Sequence, residues 1–238
     1  MSERYLRQLN IQEIGAEGQS RLASSSILIV GAGGLGSALL YCLAGAGVGR
    51  IGISEFDTVS EHNLNRQFLY KTEDIGKDKL SLAISALKSF NPEISYEALP
   101  RITEENALSV TEGFDLVVAA VDNLEARLIL NKACCEKGII LVNGSVEGMN
   151  GLVNTVYPGK SACLECIYGA SRGYAATPTS FAPVVTAVSA LMAQVSLLLL
   201  LGKEDPIKGE LLHFDGTEMC FDRIPVIRNP ECKVCSLK

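Results

Sequence analysis

Ser26-Ile-Leu-Ile-Val-Gly31-Ala-Gly33-Gly34-Leu-Gly36 is a short apolar run followed by a cluster of glycines. The apolar run is typical of a buried parallel strand, and Leu35–Ala46 has the composition of a helix. Glycines at such a junction permit a tight turn and let backbone N–H groups approach phosphates, which the start of a helix also attracts. The segment therefore predicts a nucleotide-binding turn, and by itself it fits NAD, FAD or ATP.

Strand-like and helix-like segments alternate downstream of this turn. Ile51–Glu55 is a predicted strand that ends at Glu55, where a carboxylate would accept hydrogen bonds from ribose hydroxyls. Asp74–Phe90 has apolar residues at helical spacing. Further strands are predicted at 94–99, 115–121 and 139–142, and a further helix at 124–136. The alternation predicts an α/β fold with a doubly wound, mostly parallel Rossmann-like sheet.

The pattern changes after Asn143. Residues 146–157 hold glycines and alternating residues, which favour antiparallel strands, and residues 211–227 favour a hairpin. Between them, residues 184–201 are apolar enough to cross a membrane, but interrupting polar residues favour a buried core helix instead. We expect one domain over residues 1–238, with a nucleotide-binding half (1–143) and a C-terminal half (144–238).

Two identical cysteine pairs lie in the C-terminal half, Cys163-x-x-Cys166 and Cys232-x-x-Cys235, with 65 residues between them. Two such pairs can supply the four thiolates of a tetrahedral site, which suits a structural Zn²⁺ ion. A disulfide within each pair is the alternative.

Composition narrows the classes of partner. The chain carries a net charge of −6 and has no dense Lys/Arg run, which disfavours nucleic acid as the main partner. Met1–Asn10 is polar and charged and does not resemble a signal peptide, so we expect a cytoplasmic protein that is not embedded in a membrane.

The run that follows the predicted ribose carboxylate is Glu55-Phe-Asp57-Thr-Val-Ser-Glu-His62-Asn63-Leu64-Asn65-Arg66-Gln67. A nicotinamide enzyme has no need of it. The run resembles the signature of the ThiF/MoeB/HesA family, the bacterial relatives of ubiquitin-activating enzymes. Arg4–Gln8, Ile75–Lys79, Asp122-Asn123 and the two cysteine pairs resemble further elements of that family in the same order.

The resemblance implies ATP-dependent adenylation of the C-terminal glycine of a small ubiquitin-like sulfur-carrier protein that ends in Gly-Gly. Negative charge builds on phosphate oxygens in that reaction, and Arg66 and Lys79 are the cations expected to meet it. The resemblance assigns Asp122 to Mg²⁺ and places Arg7 in the ATP site of a partner subunit, which implies a homodimer. The positions expected to contact ATP are Gly31, Gly33, Gly34, Gly36, Glu55, Asp57, His62, Asn63, Leu64, Asn65, Arg66, Gln67, Lys79, Asp122 and Asn123.

Three features depart from the family. Glu55 stands where aspartate is usual, and His62 stands where serine is usual. Many relatives carry a cysteine before the long apolar helix for a covalent link to the carrier, but residues 169–183 contain none. We therefore expect the reaction to stop at the acyl-adenylate, with sulfur supplied by a separate sulfurtransferase or cysteine desulfurase. The alternatives are a relative that adenylates another carboxylate or a tRNA base, an NAD-dependent oxidoreductase and a non-catalytic scaffold.

Overall fold

The structure is a computed structural model that describes residues 3–169 and 179–236. Its centre is one eight-stranded sheet with the spatial order β3-β2-β1-β4-β5-β6-β7-β8. The first five strands are parallel and the last three continue the sheet in antiparallel fashion. The strands are β1 (Ser26–Val30), β2 (Arg50–Ser54), β3 (Ser95–Leu99), β4 (Leu116–Ala119), β5 (Ile140–Glu147), β6 (Asn150–Val156), β7 (Glu210–Asp215) and β8 (Cys220–Pro225).

Helices cover both faces of the sheet, because alternate residues of each central strand point to opposite faces. In β1, Ile27 and Ile29 join the core beneath α3, α4 and α8, whereas Leu28 and Val30 join the core beneath α5, α6 and α7. The α-helices are α1 (Leu6–Leu9), α2 (Gly15–Ser24), α3 (Gly34–Ala46), α4 (Lys79–Phe90), α5 (Ala107–Thr111), α6 (Leu124–Lys137), α7 (Leu164–Tyr168) and α8 (Ala182–Leu200).

The order of the strands places the glycine turn. The chain leaves β1 toward β2 and β3 on one side, then crosses back to β4 on the other side. Ligands of open α/β sheets bind at such a reversal, beyond the carboxyl ends of the strands. Gly31 follows β1 directly, so the glycine turn lies at the reversal.

The long apolar helix α8 packs against α3 and over β5 and β6. Two glycines permit this close packing, because a Cβ atom at Gly144 would lie 2.2 Å from Met192 and one at Gly151 would lie 2.2 Å from Val188. By length and hydropathy α8 could also cross a membrane, but half of its most apolar stretch is buried within the fold. The packing agrees with the expected core helix.

Several boundaries differ from the sequence predictions. Helix α4 begins at Lys79 and not at Asp74, because Gly76 has φ +84° and interrupts the helical backbone. Strand β5 extends to Glu147, because its second half pairs with β6. Helices α1, α2, α5 and α7 were not predicted. The predicted change from parallel to antiparallel strands after Asn143 is confirmed.

Candidate nucleotide site and cysteine centre

Two glycines of the turn after β1, Gly31 and Gly36, cannot be replaced by another residue unless the backbone moves. Gly31 has φ +99°, and a Cβ atom on it would lie 2.6 Å from the Ala120 carbonyl oxygen. A Cβ atom on Gly36 would lie 2.1 Å from the Gly31 carbonyl oxygen. The first turn of α3 therefore sits directly on the glycine turn, with its backbone N–H groups at the carboxyl edge of the sheet.

Glu55 fixes the turn from the end of β2. Its Oε2 accepts a hydrogen bond from Ala32 N at 2.8 Å, and its Oε1 accepts from Phe56 N at 2.7 Å and Asp57 N at 3.0 Å. The longer arm of glutamate thus fits where aspartate is usual. Each carboxylate oxygen can still accept a further hydrogen bond, such as one from a ribose hydroxyl.

Tyr70 holds the same turn from the opposite side, and the sequence did not predict this role. Its hydroxyl donates to the Ala32 carbonyl oxygen at 2.9 Å. Burial and then the negative charge of Glu55 raise the pKa of Tyr70, so its hydroxyl stays protonated and remains a donor. Ala32 is therefore bound at both its N–H and its carbonyl.

Arg66 and Gln67, two of the residues expected to contact ATP, lie over the glycine turn. Arg66 Cγ is 3.5 Å from the position of a Cβ atom on Gly34, and Gln67 Nε2 is 3.4 Å from that of a Cβ atom on Gly33. Arg66 Nη1 donates to the His62 carbonyl oxygen and to Asn65 Oδ1, both at 2.9 Å. These local bonds hold the guanidinium group at the edge of the turn.

The buried Oε1 of Gln67 has no hydrogen-bond partner among the described residues. A buried acceptor without a partner costs free energy, and a ligand N–H or O–H group would remove that cost. An unsatisfied acceptor beside a glycine turn thus fits a nucleotide bound there.

The remaining residues of the signature run differ in burial. Asn63 is buried and its Oδ1 accepts from Ser60 N at 3.2 Å, so it closes a 3-10 turn (Glu61–Asn63). His62 and Asn65 are exposed, and Leu64 is half-buried. The Asn63 side chain therefore stabilises the local backbone of the signature run.

Lys79 is the first residue of α4 and is only 4% exposed. Its Nζ lies 3.5 Å from Asp57 Oδ2, and its N–H donates to the Asp57 carbonyl oxygen at 3.0 Å. A buried ammonium group needs a compensating negative charge. The Asp57 side chain is about half exposed, so its carboxylate is also accessible to groups other than the Lys79 ammonium.

Asp122 and Asn123 lie just beyond β4, at the same edge as the glycine turn. Asn123 Oδ1 accepts from Ala126 N at 2.8 Å and caps α6. Asp122 is exposed and receives a long contact of 3.5 Å from Asn123 Nδ2. The capping role of Asn123 is thus present, and the Asp122 carboxylate is accessible to a cation.

Arg127, one turn into α6, was missed by sequence reasoning. It is buried, and it donates to the Val121 carbonyl oxygen, to Asn143 Oδ1 and to the Gly144 carbonyl oxygen. Burial lowers the pKa of Arg127. Its bonds tie the segment before Asp122 to β5, so it positions that segment.

Arg7 lies far from the glycine turn of its own chain. It is exposed on α1, and its neighbour Gln8 donates to the Ala46 carbonyl oxygen at 3.1 Å. Ala46 is the last residue of α3, and a helix of that length separates it from Gly34 by about 20 Å. Arg7 does not join the other predicted site residues within one chain.

The four paired cysteines come together as predicted. Their sulfur atoms all lie within 4.8 Å of one another. The Sγ–Sγ distances are 3.9 Å for Cys163–Cys166, 3.7 Å for Cys163–Cys232 and 3.5 Å for Cys166–Cys235. Tetrahedral Zn–S bonds of about 2.3 Å would set sulfurs about 3.8 Å apart. The donor set therefore fits zinc, and all eight cysteines are free thiols, so no disulfide forms within either pair.

The second pair lies in a turn whose backbone favours a thiolate. Burial raises the pKa of Cys232, but hydrogen bonds from the backbone N–H groups of Cys235 and Val234, together with those from the Cys166 and Cys235 thiols, outweigh it and lower that pKa to about 7. Arg228 Nη2 donates to the Cys235 carbonyl oxygen at 2.7 Å. Metal binding requires deprotonated thiols, and of the two ligands in this turn only Cys232 has its pKa near neutral, because burial raises the pKa of Cys235 to about 12.

A family model places the chain among known proteins: the model of the ThiF family matches residues 5–234. The chain belongs to the ThiF family. Proteins similar to this ThiF-family chain include a sulfur carrier protein adenylyltransferase of Thermus thermophilus, 40% identical over 98% of this chain and 90% of its own length. A SAMP-activating enzyme E1 of Haloferax volcanii is 34% identical over 98% of this chain and 88% of its own length.

Solved structures show the same fold. The microcin C7 biosynthetic enzyme MccB in complex with N-formylated MccA superimposes with a TM-score of 0.88 and 26% identity, over 98% of this chain and 74% of that one. E. coli MccB with ATP gives a TM-score of 0.86 at 26% identity, over 99% of this chain and 75% of that one. The Rossmann-like sheet with its antiparallel extension is therefore shared with MccB, which has been solved with ATP.

Proposed function

We propose that this ThiF-family chain uses ATP to adenylate the C-terminal glycine carboxylate of a small ubiquitin-like sulfur-carrier protein, releasing pyrophosphate. The observation that carries the proposal is the placement of Arg66 and Gln67 over the glycine turn, at the reversal of the sheet. The Thermus relative, named for this activity, supports the choice of substrate. Free thiols and the paired cysteines support a reducing, cytoplasmic setting.

The chain would bind and orient ATP through groups already in place. The N–H groups at the start of α3 meet phosphate oxygens, and Glu55 accepts from the ribose hydroxyls. Arg66 offers a planar fork that can bind two phosphate oxygens, whereas the Lys79 ammonium acts as a point charge. As the carboxylate attacks the α-phosphate, these two cations stabilise the charge that develops on its oxygens.

The proposed enzyme binds two kinds of metal ion. The accessible Asp122 carboxylate would hold Mg²⁺, which neutralises phosphate charge when bound. The four paired cysteines would hold a structural Zn²⁺ ion, because the separations of their sulfur atoms suit it. The zinc centre joins α7 to the turn at residues 229–236, remote in sequence, and contributes to stability.

The proposed enzyme is a homodimer in which Arg7 enters the ATP site of the partner subunit. The distance of Arg7 from its own glycine turn supports this arrangement. Because residues 169–183 contain no cysteine, we assign sulfur delivery to a separate sulfurtransferase or cysteine desulfurase. Of that segment, residues 170–178 lie outside the described part of the chain.

A second candidate substrate is a peptide carboxylate. The similar solved structures of MccB include a complex with MccA, which supports this option. The higher identity to the Thermus relative, 40%, favours the carrier protein.

ATP–pyrophosphate exchange tests the proposal, with the purified chain and a ThiS-like carrier, a MoaD-like carrier or a synthetic peptide. We expect carrier-dependent exchange that Arg66→Ala lowers at least about 100-fold, the loss typical of removing one transition-state donor. Arg223→Ala removes an exposed arginine of β8 and serves as the matched control. Exchange with the peptide alone would favour the second candidate, and undiminished exchange in Arg66→Ala would remove Arg66 from the site.

A further inference from the structure

An arginine and a phenylalanine stack on each other beyond the ends of β2 and β3. The Arg101 guanidinium group lies over the Phe56 ring, 4.0 Å from the ring centroid. The two strands pair in parallel, and each of these residues comes two positions after the last pair, Ser54 and Leu99. The stacked pair therefore lies at the carboxyl edge of the sheet, where open α/β sheets bind their ligands.

Backbone hydrogen bonds hold both members of the pair in place. Phe56 N donates to Glu55 Oε1 at 2.7 Å, so the ring is attached to the carboxylate that is proposed to bind the ribose. The Arg101 carbonyl oxygen accepts from Asn106 Nδ2 at 2.8 Å, and Asn106 Oδ1 accepts from Thr103 N at 2.8 Å. The segment after β3 thus has a defined turn, and Arg101 stands at its start.

The Arg101 guanidinium group has no polar partner within the part of the chain that the structure describes. Arg50 differs, because it stacks on Phe114 at 4.1 Å and also pairs with Glu97 at 2.7 Å. Arg101 is exposed and Phe56 is 53% exposed. One face of the guanidinium plane covers the ring, so the opposite face and the N–H groups are accessible to a ligand.

The order of the strands indicates which part of a nucleotide would reach this pair. In the proposed function the phosphates meet the glycine turn after β1, and the ribose meets Glu55 at the end of β2. The next strand in that direction is β3, about 4.8 Å further along the sheet. A nucleotide extended across these strand ends places its base beyond Glu55, at Phe56 and Arg101.

A guanidinium group that is already stacked on a ring suits a base on its other face. The group is planar, stacks on π-faces and is more weakly hydrated than an ammonium group, so a base can cover it at low cost. Stacking is open to every base and differs in strength between them. A purine has the larger π-face, so this contact favours ATP over CTP.

We propose that Arg101 is a specificity residue of the nucleotide site, which stacks on the purine base while Phe56 positions its guanidinium group from behind. The inference rests on the proposed function and adds the recognition of the base to it. It accounts for an arginine that lies over an exposed ring beside the ribose carboxylate with no carboxylate partner of its own.

Binding of ATP and of CTP, measured by equilibrium dialysis of the labelled nucleotides with Mg²⁺ on the purified chain, tests the proposal. We expect the wild type to bind ATP more tightly than CTP. Arg101→Ala should weaken ATP binding about 10-fold, within the range for removing a side chain stacked on a base, and should weaken CTP binding less. Arg101→Lys keeps the charge but not the plane, so it should resemble Arg101→Ala.

A second variant and a control address the role of the ring. Phe56→Leu should weaken ATP binding about 3-fold, because it removes a cation–π contact at an exposed position. Since the ring acts through Arg101, the double variant should bind ATP no more weakly than Arg101→Ala. Arg50→Ala breaks the similar stack on Phe114 at the other end of β2 and should keep the wild-type affinity for both nucleotides.

The outcomes separate this inference from the proposed function. If the wild type binds neither nucleotide, the ATP site itself is wrong. If it binds ATP and CTP equally, or if Arg101→Ala keeps the wild-type affinity or loses both nucleotides equally, the stacking role is wrong while the nucleotide site stands. Full recovery in Arg101→Lys would also overturn the role, because a point charge would then be sufficient.

Discussion

At the scale of single residues, two glycines of α3 differ in the space that surrounds their Cβ positions. Gly36 in the first turn of α3 has the Gly31 carbonyl 2.1 Å from its Cβ position. Gly45, near the end of the same helix, has only Phe90 ring carbons at 3.7 and 3.8 Å. The first position excludes a methyl group, and the second accepts it at ordinary contact distance.

We predict opposite effects of alanine at these two positions. Gly36→Ala should lower the free energy of unfolding by about 1–3 kcal/mol, because the helix must move off the glycine turn. Gly45→Ala should raise it by about 0.5–1 kcal/mol, because alanine is the better helix former and nothing obstructs it. Urea unfolding of both variants measures the two changes.

Binding of ATP should separate the variants in the same way. Gly36→Ala moves the N–H groups expected to meet phosphates, so its affinity for ATP should fall, whereas Gly45→Ala should bind normally. A Gly36→Ala variant with wild-type stability and affinity would contradict the close approach of α3 to the turn.

The residues of this turn could be predicted from the sequence, but some of the side chains that hold the turn in place could not. Glycines and the Arg66-Gln67 pair carry local motifs, so their meeting could be predicted from their order. Tyr70 and Arg127 could not, because their partners depend on tertiary packing: the Ala32 carbonyl is 38 residues away and Gly144 is 17 residues away. Arg7 could be assigned only by resemblance, since the site proposed for it lies in a second subunit.

At the scale of elements, α4 depends on one capping residue. Asp78 precedes the helix, and its Oδ2 accepts from Ser81 N at 2.7 Å. The next residue, Lys79, carries the ammonium group that pairs with Asp57. The cap therefore sets the start of the helix and the position of a proposed phosphate-binding group.

We predict that Asp78→Ala lowers the free energy of unfolding by about 1 kcal/mol at pH 7, the usual value of a helix cap. Asp78→Asn keeps an acceptor and should lose much less. Urea unfolding of the two variants provides the measurement, and equal losses would assign the effect to charge and not to the hydrogen bond.

This cap should also depend on pH. The hydroxyl of Ser81, and then its N–H group, lower the pKa of Asp78 below its ordinary value. Its ionised form thus stabilises the fold above the unfolded pKa of about 3.9, and this contribution is lost as pH falls through the folded pKa. Below about pH 4 the wild type should lose part of its stability advantage over Asp78→Ala, whereas the advantage of Asp78→Asn over Asp78→Ala should not change with pH.

The boundaries of the elements were harder to predict than their type. Apolar spacing continues through Ile75 and suggested a helix from Asp74, but Gly76 adopts a left-handed backbone that ends any helical run there. The sequence predicted that β5 ends at Val142. Residues 143–147 extend the strand because they pair with β6, although they have no apolar pattern of their own.

At the scale of the whole molecule, the proposed active site is shared between two subunits. Arg7 sits at the far end of α3, about 20 Å from the glycine turn that the same helix begins. Arg66 lies over that turn. If Arg7 acts in the partner's site, each site takes Arg66 from one subunit and Arg7 from the other.

Mixed dimers test this arrangement. Arg7→Ala and Arg66→Ala should each abolish pyrophosphate exchange alone. In an equal mixture, half the dimers are mixed and each has one intact site, so about one quarter of wild-type activity should return. Exchange assays on co-expressed variants measure this recovery. If the variants copurify as dimers and activity stays absent, Arg7 does not act across the interface.

The spacing of the cysteine pairs has a consequence for biosynthesis. Ribosomes add about 5–20 residues per second, so the 65 residues between the pairs take about 3 to 13 s to translate. During that interval Cys163 and Cys166 exist without the second pair, while the parallel part of the sheet has already been made. If the cysteine centre binds zinc as proposed, the ion can be fully coordinated only late in the synthesis of the chain. A shortage of zinc at that stage would leave α7 unconnected to the C-terminal turn after most of the sheet has been made.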